Sequence, residues 1–247
     1  MKGVSEKSGS GVRSEFLPQL ELLEERAVPA AYVFTPSTGT FTVNMAEISD
    51  RGFGMSCSGD GKLMVQGFLS ETRRNPVMGA TGKNRTLDVS LIKKIVINGS
   101  EENDKINLSR VGPDTRFFKS PQINILAKGG DDLVYGSQFN DVIHGGNGND
   151  SLVGENGRDT IFGDLGNDRL YGDFSANTRG TAGDDDWLEG GIGDDFMAGG
   201  GGNDTMVGQV GRDQFDGGQG YDAVFYDSAD ISWILVEMAK AGSPTKK

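Results

Sequence analysis

Three consecutive lines of nine residues decide the fold: Gly145–Val153 GGNGNDSLV, Gly154–Phe162 GENGRDTIF and Gly163–Tyr171 GDLGNDRLY. The same register continues through Gly172–Gly180 GDFSANTRG, Thr181–Glu189 TAGDDDWLE, Gly190–Ala198 GGIGDDFMA, Gly199–Val207 GGGGNDTMV, Gly208–Asp216 GQVGRDQFD and Gly217–Phe225 GGQGYDAVF. Counted backwards it gives Gly136–His144 GSQFNDVIH and Ala127–Tyr135 AKGGDDLVY. In every line but one the sixth place is aspartate: Asp132, Asp141, Asp150, Asp159, Asp168, Asp186, Asp195, Asp204, Asp213 and Asp222. In those lines the eighth place is apolar, running from Val134, Ile143 and Leu152 to Met206, Phe215 and Val224. A fixed period of this length marks a stacked-repeat architecture.

The glycines explain the spacing. Places one, two and four are glycine at Gly145, Gly146 and Gly148, at Gly190, Gly191 and Gly193, at Gly199, Gly200 and Gly202, and at Gly217, Gly218 and Gly220. Places one and four alone are kept at Gly154 and Gly157, Gly163 and Gly166, and Gly208 and Gly211. Glycine admits positive φ and close backbone approach, so the first six places read as a turn. Places seven to nine read as a short strand, whose eighth residue points to one face and whose neighbours point to the other. The apolar eighth residue therefore faces an interior.

The pattern resembles the G-G-x-G-x-D-x-U-x nonapeptide of the RTX family, also called haemolysin-type calcium-binding repeats. GGNGND, GGIGDD, GGGGND and GGQGYD match it in full. GENGRD, GDLGND and GQVGRD lack only the second glycine, and AKGGDD, GSQFND and TAGDDD are weaker. The resemblance implies an all-β fold, a parallel β-roll in which two nonapeptides complete one coil. It also implies several Ca²⁺ ions, bound by the ten aspartates and the backbone carbonyls of the glycine turns. Ca²⁺ takes six to eight oxygens, and one ion per pair of stacked turns gives on the order of six to eight ions. Neighbouring carboxylates about 4.8 Å apart repel one another by roughly 1 kcal/mol in bulk water and by more in a protein. A core one side chain deep does not offset chain entropy of about 1–2 kcal/mol per residue. The stretch is therefore expected to be disordered without metal and to fold on Ca²⁺.

A strict period of eighteen would stack Asp132, Asp150, Asp168, Asp186, Asp204 and Asp222 on one edge, and Asp141, Asp159, Asp195 and Asp213 on the other. The line Gly172–Gly180 disturbs this, with Asn177 at place six and Arg179 at place eight. An arginine does not fit a shallow apolar interior without a partner. Either the line is a degenerate turn, which keeps Asp168 and Asp186 on one edge, or it is an extruded loop, which puts them on opposite edges. The loop is favoured, because Phe174-Ser175-Ala176-Asn177-Thr178 has no turn glycine.

The rest of the chain fits around this array. It has 247 residues, 39 of them glycine, a hydrophobic content of 35% and a net charge of −12. These values suit a solenoid better than a compact globule, and the acidity argues against nucleic acid as a partner. The single cysteine, Cys57, excludes an internal disulfide. Residues 1–15 are polar and carry no apolar run of membrane-spanning or signal-peptide length. Phe16–Ala30 has leucines near helical spacing, closed by Pro29. Leu20, Glu21, Leu23, Glu24, Arg26, Pro29 and Ala30 also resemble the L-E-x-L-E-x-R-x-x-P-[AS] segment of planctomycete-type extracellular proteins, which implies an export or sorting signal. Residues 31–126 alternate in short stretches and read as an irregular β region that caps the roll. Within it Gly99, Asp104 and Ile106 occupy places one, six and eight of a degenerate repeat. That repeat is one residue out of phase, so Gly112–Ser120 has to hold an irregular loop. The roll proper spans 127–225. Ile231–Val236 is expected to form a closing strand within a C-terminal cap and tail, 226–247.

No catalytic constellation emerges. His144 is the only histidine, so a zinc-protease H-E-x-x-H is excluded, and no G-x-S-x-G elbow or phosphate loop occurs. The outward third and fifth places show no regular order. The reading is a secreted, extracellular, non-catalytic calcium-binding protein of structural or adhesion type. It has no membrane span, and its expected partner is a cell surface or matrix. The alternative is a calcium-dependent targeting or folding module of a secreted hydrolase.

Overall fold

Short strands at a fixed spacing, each burying one side chain, can only be stable when stacked. The computed structural model shows that stacking; it describes residues 32–47, 52–57, 63–66, 75–76, 89–112, 121–173 and 183–226. The Phe16–Ala30 segment, Arg179 and Ile231–Val236 lie outside these residues.

Among the described residues eighteen strands form two sheets. The first sheet runs, in spatial order, through β1 (Tyr32–Thr35), β2 (Thr40–Asn44), β6 (Lys94–Asn98), β8 (Gln122–Gly129), β10 (Asp141–Asn147), β12 (Thr160–Leu165), β14 (Trp187–Ile192), β16 (Thr205–Val210) and β18 (Ala223–Phe225). The second runs through β17 (Gln214–Gln219), β15 (Phe196–Gly201), β13 (Arg169–Tyr171), β11 (Ser151–Val153), β9 (Leu133–Tyr135), β7 (Lys105–Asn107), β3 (Gly52–Cys57), β4 (Leu63–Gln66) and β5 (Asn75–Pro76). Successive strands of the array alternate between the sheets, so every pair of nonapeptides closes one coil. All pairings from β2 to β18 in the first sheet are parallel, and antiparallel pairs occur at β1–β2, β3–β4 and β4–β5. The fold is an all-β parallel β-roll.

Eighth-place residues pair in register and fill the interior. Ile125, Ile143, Ile161, Leu188 and Met206 stack in the first sheet. Ile106, Val134, Leu152, Leu170, Met197 and Phe215 stack in the second. All are buried, and Val224 at the last rung is partly so. Each contributes roughly 1.5–3 kcal/mol on burial. The N-terminal end is thicker: Phe41, Val43, Met45, Phe53, Ile95, Ile97 and Leu108 join the same core, and the Tyr32 ring stacks on Phe41 at 6.5 Å.

The register steps by eighteen from Ile143 to Ile161 but by twenty-seven from Ile161 to Leu188 and from Leu170 to Met197. Each of these intervals therefore holds nine residues more than a coil of eighteen. These nine are not the line Gly172–Gly180 as counted in the sequence. Gly172 and Asp173 stay in the turn, donating their amides to Ala198 and Gly199 carbonyls at 2.9 and 3.1 Å. The turn resumes at Gly183 and reaches its aspartate at Asp186. The extra nine, 174–182, separate place two from place three of one turn, and those residues lie outside the description.

The out-of-phase repeat also finds its place. Ile106 pairs with Val134 across twenty-eight residues, and Ile95 pairs with Ile123 across the same interval. That coil holds ten residues more than eighteen, all of them between β7 and β8, and residues 113–120, where the irregular loop was expected, lie outside the described residues.

Candidate metal centre: two carboxylate ladders

Each coil presents two turns, so the sixth-place aspartates line two edges. The backbone N–H of one aspartate donates to Oδ1 of the aspartate in the following coil. On one edge Asp104 donates to Asp132, Asp132 to Asp150, Asp150 to Asp168, Asp168 to Asp195 and Asp195 to Asp213, at 2.7–3.0 Å. On the other Asp141 donates to Asp159, Asp159 to Asp186, Asp186 to Asp204 and Asp204 to Asp222, at 2.8–3.0 Å. The strict count of eighteen had placed Asp168 with Asp186 and Asp159 with Asp195. The nine-residue insertion exchanges the edges, so Asp186, Asp204 and Asp222 follow Asp159, while Asp195 and Asp213 follow Asp168.

The second carboxylate oxygen has a different fate. Oδ2 of Asp132, Asp150, Asp159, Asp168, Asp186, Asp195, Asp204 and Asp222 is buried without a hydrogen-bond partner, as is Oδ1 of Asp104. A buried charged oxygen without a partner is strongly unfavourable. Each such oxygen in the regular turns points at the first-place glycine of its own turn. A Cβ on Gly145 would sit 2.3 Å from Asp150 Oδ2 and 2.8 Å from the Gly163 carbonyl oxygen of the next coil. The same two kinds of oxygen meet at Gly154, from Asp159 and Gly172; at Gly163, from Asp168 and Gly190; at Gly172, from Asp186 and Gly199; and at Gly199, from Asp204 and Gly217. Gly190, Gly208 and Gly217 face Asp195, Asp213 and Asp222 in the same way. In these turns first-place glycine serves by the space its missing side chain leaves, and its φ is ordinary; the first turn of the array has Ala127 at this place.

Positive φ belongs to places two and four. Gly148, Gly157, Gly166, Gly193, Gly202, Gly211 and Gly220 all adopt it at place four. At place two Gly146, Gly191, Gly200 and Gly218 do so, and the turn is kept even by Lys128, Glu155, Asp164 and Gln209, with φ of 73–83°. Non-glycine residues in this region carry strain of about 1–2 kcal/mol.

Burial, followed by neighbouring carboxylates, pushes the aspartates out of their ordinary range. Asp150 and Asp195 rise to about 6, Asp168 and Asp204 to about 7, and Asp132 and Asp186 to about 8. Asp141, Asp159 and Asp222 are raised as well, chiefly by burial. Amide donors oppose the shift without cancelling it. A cation at the ladder would remove the penalty by keeping these groups ionised. The donor set is all oxygen, carboxylate and carbonyl, which suits a hard cation such as Ca²⁺. Among the described residues no three His, Cys, Asp or Glu side chains converge on one point. Each turn supplies one carboxylate, and carbonyls such as those of Gly163, Gly172, Gly190, Gly199 and Gly217 would supply other ligands.

A further ladder lies outside the carboxylates, at the fifth place. Asn103 Oδ1 accepts from the Asp131 amide, Asp131 from Asn149, Asn149 from Asn167, Asn167 from Asp194 and Asp194 from Arg212, at 2.7–3.0 Å. On the other edge Asn140 accepts from Arg158, Asp185 from Asn203 and Asn203 from Tyr221. The residue types at place five follow no regular order, with Arg158, Arg212 and Tyr221 among them, but the short Asn and Asp side chains there bridge coils. The Asn203 amide, ahead of the Arg158 guanidinium at 2.9 Å, holds the Asp185 carboxyl below its usual range.

A parallel roll with glycine-lined turns and one buried carboxylate per turn defines a calcium-stapled repeat architecture. Residues 126–161, 144–178, 179–206 and 189–224 match the RTX calcium-binding nonapeptide repeat, in four overlapping copies. The chain carries RTX repeats, and it is a calcium-binding repeat protein. No curated protein and no solved structure matches it.

Proposed function

We propose that this chain is a secreted, non-catalytic structural or adhesion protein whose roll forms when Ca²⁺ fills the two aspartate ladders. The ten aspartates and the first-, second- and fourth-place glycines of the regular turns are its metal sites, together with Asp104. The observation that carries the reading is the row of buried, unpartnered carboxylate oxygens, which from Asp150 onward are aimed at the space a first-place glycine leaves open. Without a cation this arrangement stores repulsion; with one it becomes a staple between coils. Extracellular calcium modules with affinities of about 10⁻⁴–10⁻³ M fill outside the cell and stay empty inside it, so export as a flexible chain and folding after release follow. The reading as a non-enzyme is supported by His144, whose ring stacks on Phe162 at 4.4 Å and pairs with Asp164 at 3.2 Å on the outer face of the roll.

A calcium titration followed by far-ultraviolet circular dichroism and calorimetry tests this. A cooperative coil-to-β transition at sub-millimolar to millimolar Ca²⁺, weakened in Asp150→Ala, Asp168→Ala and Asp204→Ala, is expected. A chain that binds no Ca²⁺, or shows its full strand signal in chelator, would refute it.

A further inference from the structure

Two turns of the array are built differently from the rest. Each is the first rung of its edge: Asp104 begins one ladder and Asp141 the other, and among the described residues no earlier aspartate amide reaches either carboxylate. Both turns have serine at place two. Ser137 donates its amide to Asp141 Oδ2 at 2.5 Å and its hydroxyl to Asp141 Oδ1 at 3.0 Å, so both carboxylate oxygens are held. Ser100 donates its amide and its hydroxyl to Asp104 Oδ2, at 2.7 and 2.9 Å. The serine oxygens in turn accept from the amides two residues on, Phe139 at 3.0 Å and Glu102 at 3.3 Å. Neither serine has the positive φ that eight other second-place residues adopt. Both turns share the spelling Ser-x-x-Asn-Asp, in Ser100–Asp104 and Ser137–Asp141.

We infer that the serine turns 99–104 and 136–141 fold without calcium and serve as fixed starting rungs, from which ion binding proceeds coil by coil toward the C-terminus. The proposal rests on the calcium-driven folding proposed above and adds its direction. At these two rungs protein donors neutralise part of the carboxylate's desolvation cost before any ion binds, whereas at the later rungs that part falls to the ion. The apolar packing points the same way. The strands on either side of the 99–104 turn pair with β2 and β3, where Phe41 lies beside Ile95, Val43 beside Ile97 and Phe53 beside Ile106, and the strands on either side of the 136–141 turn form the next layer. Beyond Leu188 each rung buries a single eighth-place residue. A metal-free chain with a folded start and an open remainder presents the next aspartate amide already in position. Asp104 N–H waits for Asp132, and Asp141 N–H waits for Asp159. Each ion then has one new coil to order, and the entropy of closing the whole roll is divided among small steps.

Hydrogen exchange of the full chain in chelator, and again in millimolar Ca²⁺, tests the inference. In chelator the amides of Ser100, Ser137 and Phe139 should exchange at least about ten-fold more slowly than those of Asp168, Asp186 and Asp204. That ratio is the scale of one hydrogen bond to a charged group. Ca²⁺ should then protect the later rungs. Ser137→Ala should remove the Phe139 protection in chelator and raise the Ca²⁺ midpoint several-fold, and Ser137→Thr should restore both. If all these amides exchange freely in chelator while the calcium transition persists, the inference falls and calcium-driven folding stands. Uniform protection in chelator, or no calcium transition in the parent chain, would overturn both. A Ser137→Ala protein with unchanged Phe139 exchange would also overturn the inference.

Discussion

Two deletions of nine residues, differing by two positions, should behave oppositely. Deleting 174–182 joins Asp173 to Gly183 and leaves the turn Gly172-Asp173-Gly183-Asp184-Asp185-Asp186, with glycine at place one and aspartate at place six. Deleting 172–180, the frame suggested by counting in nines, joins Tyr171 to Thr181 and puts threonine at place one. The structure separates the two. A Cβ at position 172 would lie 2.2 Å from Asp186 Oδ2 and 2.5 Å from the Gly199 carbonyl, where no real Cβ fits. The first deletion shortens a loop closure from about fifteen residues to about six, a gain of roughly 0.8 kcal/mol from chain entropy. The second should cost about 1–3 kcal/mol for overpacking, and should weaken the ion site that Asp186 and the Gly199 carbonyl would share. Urea unfolding at saturating Ca²⁺, with calorimetric ion stoichiometry, gives the readout. The 174–182 deletion should keep the parent's stoichiometry and its stability to within about 1 kcal/mol. If it loses the coils after Asp186, or if the 172–180 deletion is equally well tolerated, the assignment of the insertion between places two and three is wrong.

In chelator, folded rungs should be favoured by acid. Carboxyls raised above their ordinary 3.8 favour the folded state below about pH 4 and lose that contribution as pH climbs through about 6 for Asp150 and Asp195 and about 8 for Asp132 and Asp186. For Asp150 this amounts to about 1.5 kcal/mol, taking 1.4 kcal/mol per pKa unit and halving for solvent screening. Saturating Ca²⁺ should reverse the slope, and parallel slopes in the two conditions would contradict the ladder geometry. Leu170→Ala, fully buried between Leu152 and Met197, should lower calcium-loaded stability by about 2–5 kcal/mol. Outward Val142→Ala should stay within about 0.5 kcal/mol in the same denaturation assay. Gly166→Ala places a Cβ 1.7 Å from the Gly148 carbonyl at φ 137°, so its melting temperature should fall sharply. Glu155→Gly, relieving a φ of 81°, should gain about 0.5–1 kcal/mol.

The strand positions, the inward eighth residue and the alternation of edges were legible because each follows from a local period. The two-sheet roll needed only the glycine turns and Leu152, Ile161 and Leu170 recurring at ninefold spacing. What depended on contacts between coils was harder to read. The insertion frame was hidden because Gly172 and Gly180 are both plausible turn glycines, and only the oxygen facing position 172 distinguishes them. Asp104 was visible as a sixth place yet left out of the ligand set, since its phase slips by one residue before Pro121; its carboxylate nevertheless heads a ladder. The place-five bridges escaped notice because Asn149, Asn167 and Asp194 look unordered along the chain. They become a row only when residues eighteen or twenty-seven apart are set side by side. Ser100 and Ser137 carried a signal, the shared Ser-x-x-Asn-Asp, whose meaning appears only with the hydrogen bonds.

The stepped register has a mechanical consequence. Interstrand hydrogen bonds run along the axis of the roll, so a pull on its two ends peels coils apart in sequence instead of shearing whole strands past one another. Each ordinary coil would release eighteen residues, about 60 Å of extended chain. The coil between Ile161 and Leu188 holds twenty-seven and would release about 90 Å. From Ile95 onward, a force–extension trace of this protein should therefore be a staircase with two treads about half as long again as the others, this one and the twenty-eight-residue coil from Ile97 to Ile125.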